Sequence, residues 1–110
     1  MQTAFEVIAE PTRRRILDLL LEREQPVGDL VTALAMSQPA VSRHLRVLRD
    51  AGLVRARTDA QRRVYRLDAA PLAAMDEWLR PYRRLWAESL DSLARHLDEM
   101  DDETDGKDSR

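Results

Sequence analysis

The chain contains no cysteine, which removes disulfides, thiolate metal sites and cysteine nucleophiles and leaves the redox compartment open. Glycine and proline are scarce, three and five among 110 residues, which argues against a loop-rich or low-complexity chain. Long apolar runs are missing too. The longest, residues 16–21, is interrupted by Asp18 and is far too short to span a bilayer. No basic-then-apolar signal pattern opens the sequence, so a cytoplasmic protein without a membrane partner is expected. There are only two histidines, no glycine-rich phosphate loop and no acid pair set against a cleft-forming pattern, so nothing supports an enzyme.

What is present suits one compact domain: 44% apolar residues can build a core, and 35% charged residues keep the chain soluble. The net charge of −2 hides a division. Residues 1–66 carry twelve arginines against eight acids, and residues 67–110 carry six basic residues against twelve acids. A basic front and an acidic rear suggest that one surface meets an anionic polymer and the other does not.

Apolar spacing predicts a short helix over 3–9 with Phe5 and Ile8 on one side. A second helix opens at Pro11, where a missing N–H costs nothing. It turns Ile16, Leu17, Leu20 and Leu21 inward and Arg13, Arg14 and Glu22 outward. Glu24-Gln25-Pro26 breaks it. A third helix over 28–34 presents Leu30, Val31 and Leu34 to the core. Ala35-Met36 then make a tight turn, and Ser37 caps a fourth helix over 38–51. On that helix Val41, Leu45 and Leu48 lie within about 60° of one another and must face the core. Pro39, Ser42, Arg43 and Arg46 lie opposite, flanked by Gln38 and Arg49. Ala51-Gly52 closes the helix.

From Leu53 the period changes to two. Residues 53–58 and 62–67 alternate around a turn at 59–61, which reads as a two-stranded hairpin. Residues 71–98 return to helical spacing, with Leu72, Met75, Leu79, Tyr82, Trp86, Leu90, Leu93 and Leu97 at steps of three and four. Trp78 and Leu85 widen that stripe, and Pro81 is expected to kink or split the helix. The expected organisation is a domain over 1–98 and an acidic, disordered tail over 99–110.

Two helices joined by a tight turn, the second polar and cationic outside, form a helix-turn-helix. The second helix buries one stripe for support while its outer face enters the major groove. Short side chains near its start let the backbone approach DNA. Ser42 suits a phosphate, Gln38 a base edge, and Arg43 or Arg46 guanine. Arg55, Arg57, Arg62 and Arg63 on the hairpin suit backbone or minor-groove contact, as a wing does. The rival readings are arginines that are merely solvated, or a fold used for protein contact. The latter calls for mixed charge or large apolar residues where Gln38, Ser42, Arg43 and Arg46 stand.

Several segments carry a resemblance: Pro11-Thr12-Arg13 with Ile16-Leu17 and Leu20, then Ser37-Gln38-Pro39-Ala40-Val41-Ser42-Arg43-His44-Leu45. Leu48, Ala51-Gly52-Leu53-Val54 and Arg63-Val64-Tyr65-Arg66-Leu67 extend it. Together they resemble the ArsR family of winged-helix repressors over nearly the whole chain except the acidic tail. The resemblance implies a mainly α, winged helix-turn-helix fold and a homodimer joined by the first and last helices. Paired recognition helices would then read an inverted repeat in double-stranded operator DNA. It places Ser37, Gln38, Pro39, Ser42, Arg43, His44, Arg46 and Arg49 on DNA, with His44 in a support or phosphate role. Phe5, Ile8, Trp78, Leu79, Tyr82, Leu85, Trp86 and Leu90 become the expected dimer contact, the alternative being that they only seal the monomer core.

The chain departs from the family's metal sensors. Where thiolate sensors carry a cysteine pair, the third helix reads Val27-Gly28-Asp29-Leu30-Val31. The zinc sensors use His-x-x-Glu preceded by Asp-x-His. His96 and Glu99 match the first half, but Arg83 and Leu85 occupy the earlier positions, so no metal or other cofactor is expected. The segment 75–86 is similar to that of cysteine-free members. A small hydrophobic effector near Trp78, Tyr82 and Trp86 stands as the alternative to plain interface packing, and the residues identify none.

Overall fold

The computed structural model describes residues 2–108, with side chains through residue 101. The elements are α1 (Ala4–Ile8), α2 (Pro11–Glu22), β1 (Gln25–Pro26), α3 (Val27–Leu34), α4 (Gln38–Asp50), β2 (Val54–Asp59), β3 (Arg62–Leu67) and α5 (Ala70–Asp108). The chain divides into two compact units, Met1–Met75 and Asp76–Arg110.

In the first unit the core consists of Val7, Ile16, Leu17, Leu20, Leu30, Leu34, Val41, Leu45, Leu48, Leu53, Val54 and Tyr65. Each buried Leu, Ile or Val contributes about 1.5–3 kcal/mol of transfer free energy. The stripes expected on α2, α3 and α4 therefore meet, with one exception on α2. Leu21 is 72% exposed, because it falls at the margin of the α2 stripe, and Leu19 instead packs from the other flank. Val7, which the sequence reading did not single out, anchors α1, while Phe5 stays exposed.

Local chemistry sets the element ends. Thr3, Glu10 and Ser37 each accept a hydrogen bond from the backbone N–H three residues on, at 3.2, 2.9 and 3.3 Å, and so cap α1, α2 and α4. Arg13 and Arg14, expected to look outward, turn back instead. Arg14 donates to the carbonyls of Ile8 and Ala9 at 2.7 and 3.0 Å, and Arg13 to that of Val7 at 3.4 Å. They supply cationic donors to the orphan carbonyls of a five-residue helix.

The expected hairpin is present, but it belongs to a three-stranded antiparallel sheet of order β1-β3-β2. Gln25 and Pro26, read from sequence only as a helix-ending break, pair with Tyr65 and Val64. A proline is tolerated here because β1 is an edge strand. Gln25 is buried, and its amide nitrogen donates to the Leu19 carbonyl at 2.7 Å.

α5 is one helix through Pro81, so of the kink or split expected there the split does not occur. Proline removes one N–H and crowds one carbonyl, a loss confined to one turn of a long helix. In the second unit Trp78, Leu79, Tyr82, Leu85, Trp86, Leu90, Leu93 and Leu97 are all exposed, Trp86 by 66%. The Trp78 and Tyr82 rings lie 4.8 Å apart. Of the tail expected to be disordered, 99–110, residues 99–108 continue α5 and the last two lie outside the described residues.

Two helix ends carry a left-handed residue. At the end of α4, Gly52 has φ +77°, and the Leu53 N–H reaches back to the Leu48 carbonyl at 2.9 Å. At the end of α3 the same geometry falls on Ala35, φ 54°. A Cβ in this region costs about 1–2 kcal/mol. Ala35→Gly is therefore expected to stabilise the protein by about 0.5–1 kcal/mol and Gly52→Ala to destabilise it by about 1 kcal/mol, read as midpoint shifts in urea unfolding.

Candidate nucleic-acid interface

The helix pair α3–α4, joined through Ala35, Met36 and Ser37, is the helix-turn-helix, and β2–β3 is the wing. Val41, Leu45 and Leu48 are buried, so the opposite face of α4 has to look out. Ser37, Gln38, Pro39, Ser42, Arg43, Arg46 and Arg49 are all exposed, as the periodicity requires.

That face does not stand alone. Gln38, Ser42, Arg46 and Arg49 share an open groove of about 610 Å³ with Arg62 and Arg63 of the wing. The start of α3, Val27 to Asp29, and Gln61 at the wing tip complete its walls. Sequence reading missed both additions, because only tertiary packing brings them beside α4. Arg63 lies over the buried Tyr65 ring, 5.8 Å from its centroid, which holds the guanidinium by cation–π attraction.

The arginines fall into two groups. Arg43, Arg46, Arg49 and Arg63 face no carboxylate within ion-pair distance among the described residues. Arg55 and Arg57, expected on DNA, are already engaged. Arg55 donates to Asp68 at 2.7 Å, and Arg57 bonds Glu24 with Asp59 3.9 Å away. Arg62 reaches Asp59 at 3.6 Å. The Arg57 hydrogen bond holds the Glu24 carboxyl below its ordinary range, and the Arg55 hydrogen bond does the same for Asp68.

His44, expected on DNA in a support or phosphate role, is half-buried, and its Nδ1 stands 3.8 Å from Glu10 Oε2. The same carboxylate caps α2 and lies 3.9 Å from Arg13 Nε. Glu10 is thus a joint between α2 and the recognition helix. Partial burial pushes its carboxyl up, but the backbone N–H groups of Arg13 and Thr12, then His44 and the Thr12 hydroxyl, outweigh burial and hold it low.

Among the described residues no group of three or more His, Cys, Asp or Glu could hold a metal ion. His96 is exposed on α5. No helix among them is long and apolar enough to cross a membrane.

A helix-turn-helix followed by an antiparallel wing defines the winged helix-turn-helix class. Residues 10–56 match the family model of the bacterial regulatory proteins of the arsR family. HTH-type transcriptional regulator Rv2034 of Mycobacterium tuberculosis is 41% identical over 101 residues, 92% of this chain and 92% of that protein. The transcriptional repressor SdpR of Bacillus subtilis is 33% identical over 79 residues, 72% of this chain and 88% of that one. The solution structure of Mb0332 from Mycobacterium bovis, described as a homodimeric winged helix-turn-helix DNA-binding domain, superposes with a TM-score of 0.59. It is 30% identical and covers 76% of this chain and 77% of that one. The chain belongs to the arsR family, and it is a DNA-binding transcriptional regulator.

Glu10→Ala removes the α2 cap and the acid beside His44, and is expected to cost about 1 kcal/mol at neutral pH. The folded-state carboxyl titrates below its ordinary 4.5. Its contribution is therefore complete above that value and is lost as pH falls through the lower folded-state value. Urea unfolding of both proteins across that range should show the difference shrinking toward acid, and a difference growing toward acid would refute the assignment.

Proposed function

We propose that this chain is a homodimeric repressor that reads an inverted-repeat operator with α4 and contacts the flanking phosphates with the wing. The carrying observation is the groove in which Gln38, Ser42, Arg46 and Arg49 meet Arg62 and Arg63. Cations left without carboxylate partners retain their full attraction for phosphate, and exposed Arg and Gln side chains on a helix can address base edges bidentately. Arg43 and Arg46 are assigned to bases, with Gln38 beside them. Ser37, Ser42 and Arg49 are assigned to the backbone, with Pro39 permitting close approach. Arg63 is the phosphate contact of the wing, and Arg62, 3.6 Å from Asp59, lines the same groove beside it. His44 supports α4 through Glu10 rather than touching DNA.

The dimer contact is assigned to Phe5 and Ile8 of α1 and to Trp78, Leu79, Tyr82, Leu85, Trp86 and Leu90 of α5. Support comes from the exposure of the α5 stripe and from the homodimer described for Mb0332. From Trp78 to Leu90 the stripe runs about 18 Å along one helix, a length suited to a partner helix rather than a small molecule. Repression follows the function named for SdpR. A cytoplasmic location accords with a DNA partner.

A titration against the DNA upstream of its own coding sequence and a scrambled duplex, at two salt concentrations, tests this reading. Tight, salt-sensitive binding to the first, saturating at two chains per site with half-sites about 34–36 Å apart, is expected. Equal weak binding to both duplexes would sink it. Arg46→Ala should cost about 1–3 kcal/mol and relax sequence preference. Arg63→Ala should weaken binding to every sequence alike and flatten the salt slope by about 0.9.

A further inference from the structure

The sheet segregates its arginines by face. Cross-strand partners share a face, so Thr58 and Arg63, Ala56 and Tyr65, and Val54 and Leu67 turn one way. Asp59 and Arg62, Arg57 and Val64, and Arg55 and Arg66 turn the other. On this second face Arg55 stands directly opposite Arg66, a like-charge pairing that is unfavourable unless acids flank it.

Acids do flank it, and they come from outside the hairpin. Asp68 follows β3 and takes Arg55. Glu24 precedes β1, and β1 lies on the far side of β3 from β2. The two side chains together therefore span β3, about 10 Å of sheet, with the Arg57 guanidinium donating to the Glu24 carboxylate. Val64, the cross-strand neighbour of Arg57, is buried on this face. Asp59 then links Arg57 to Arg62. The arginines of α4 and Arg63 have no such partners among the described residues.

We propose that Glu24 masks Arg57, keeping one wing cation out of the phosphate-binding set and so limiting the sequence-independent affinity of the protein for DNA. The inference rests on the DNA-binding reading above and adds an affinity-limiting residue to it. Each arginine–phosphate contact strengthens binding to every sequence alike and adds about 0.9 to the slope of log affinity against log salt. A guanidinium that must first leave a carboxylate returns only part of that gain. Asp68 engages Arg55 in the same way, but it also accepts the Ala70 N–H at 3.1 Å, so Glu24 is the cleaner site to test.

The experiment measures affinity for the upstream duplex and for a scrambled duplex across a salt series. It compares the wild type with Glu24→Gln, Arg57→Ala and the double variant, with melting temperatures as the folding control. Glu24→Gln should bind both duplexes about three- to tenfold more tightly, with the salt slope steeper by about 0.9. Arg57→Ala should change affinity by less than about twofold, and the double variant should match it. Glu24→Asp, which keeps the charge but loses the reach, should also bind more tightly and serves if the glutamine variant melts early. A silent Glu24→Gln overturns the inference, as does a gain that persists in the double variant, because the acid would then act by general repulsion. Arg57→Ala that weakens binding and flattens the slope also overturns it, because Arg57 would already be on phosphate. A wild type that binds neither duplex overturns the DNA-binding reading together with this inference. Specific wild-type binding with a silent Glu24→Gln overturns this inference alone.

Discussion

Val41, Leu45 and Leu48 leave almost no surface to solvent, and through them α4 is seated among α2, α3 and β2. Truncating such a side chain to alanine costs about 2–5 kcal/mol, a large part of the stability of a domain this size. The burial also sets the rotation of the helix. A slip of one residue would turn α4 by about 100° and drive Ser42 or Arg46 toward the core. The outward face therefore needs no stabilising interaction of its own. Its arginines can stay unpaired because apolar contacts on the other side already hold the helix.

The same division of labour separates the charged groups of the first unit. Glu10 and Arg13 act structurally: one caps α2 and faces His44, and the other closes the end of α1. Glu24, Asp59 and Asp68 neutralise arginines on the outer face of the sheet. Arg46, Arg49 and Arg63, with no carboxylate within ion-pair distance among the described residues, line one groove. Positive potential is thus concentrated where a polyanion can use it, although the whole chain is slightly acidic.

The helices were legible because their signals are local. Ser37 caps α4 within one turn, Gly52 supplies the left-handed residue after it, and the apolar period of α4 needs no knowledge of any other element. The wing was legible from its change of period. The exceptions sit where two elements compete for a residue. Leu21 lies at the edge of its stripe, and the neighbouring elements favour Leu19. Val7 was not singled out because the side of α1 that meets the core is chosen by what packs against it. β1 is two residues long, one of them proline, and exists only because β3 offers an edge.

The amino-acid sequence by itself determined the element types, the face of α4 that turns outward and the absence of thiol chemistry, since each follows from side-chain type and spacing within a few residues. Tertiary structure alone decided which arginines are available. Arg57 and Arg63 look equivalent along the chain, but one meets Glu24, 33 positions away, and the other rests on Tyr65 above the groove. Ion pairing depends on proximity in space, and no local periodicity encodes a contact across three strands.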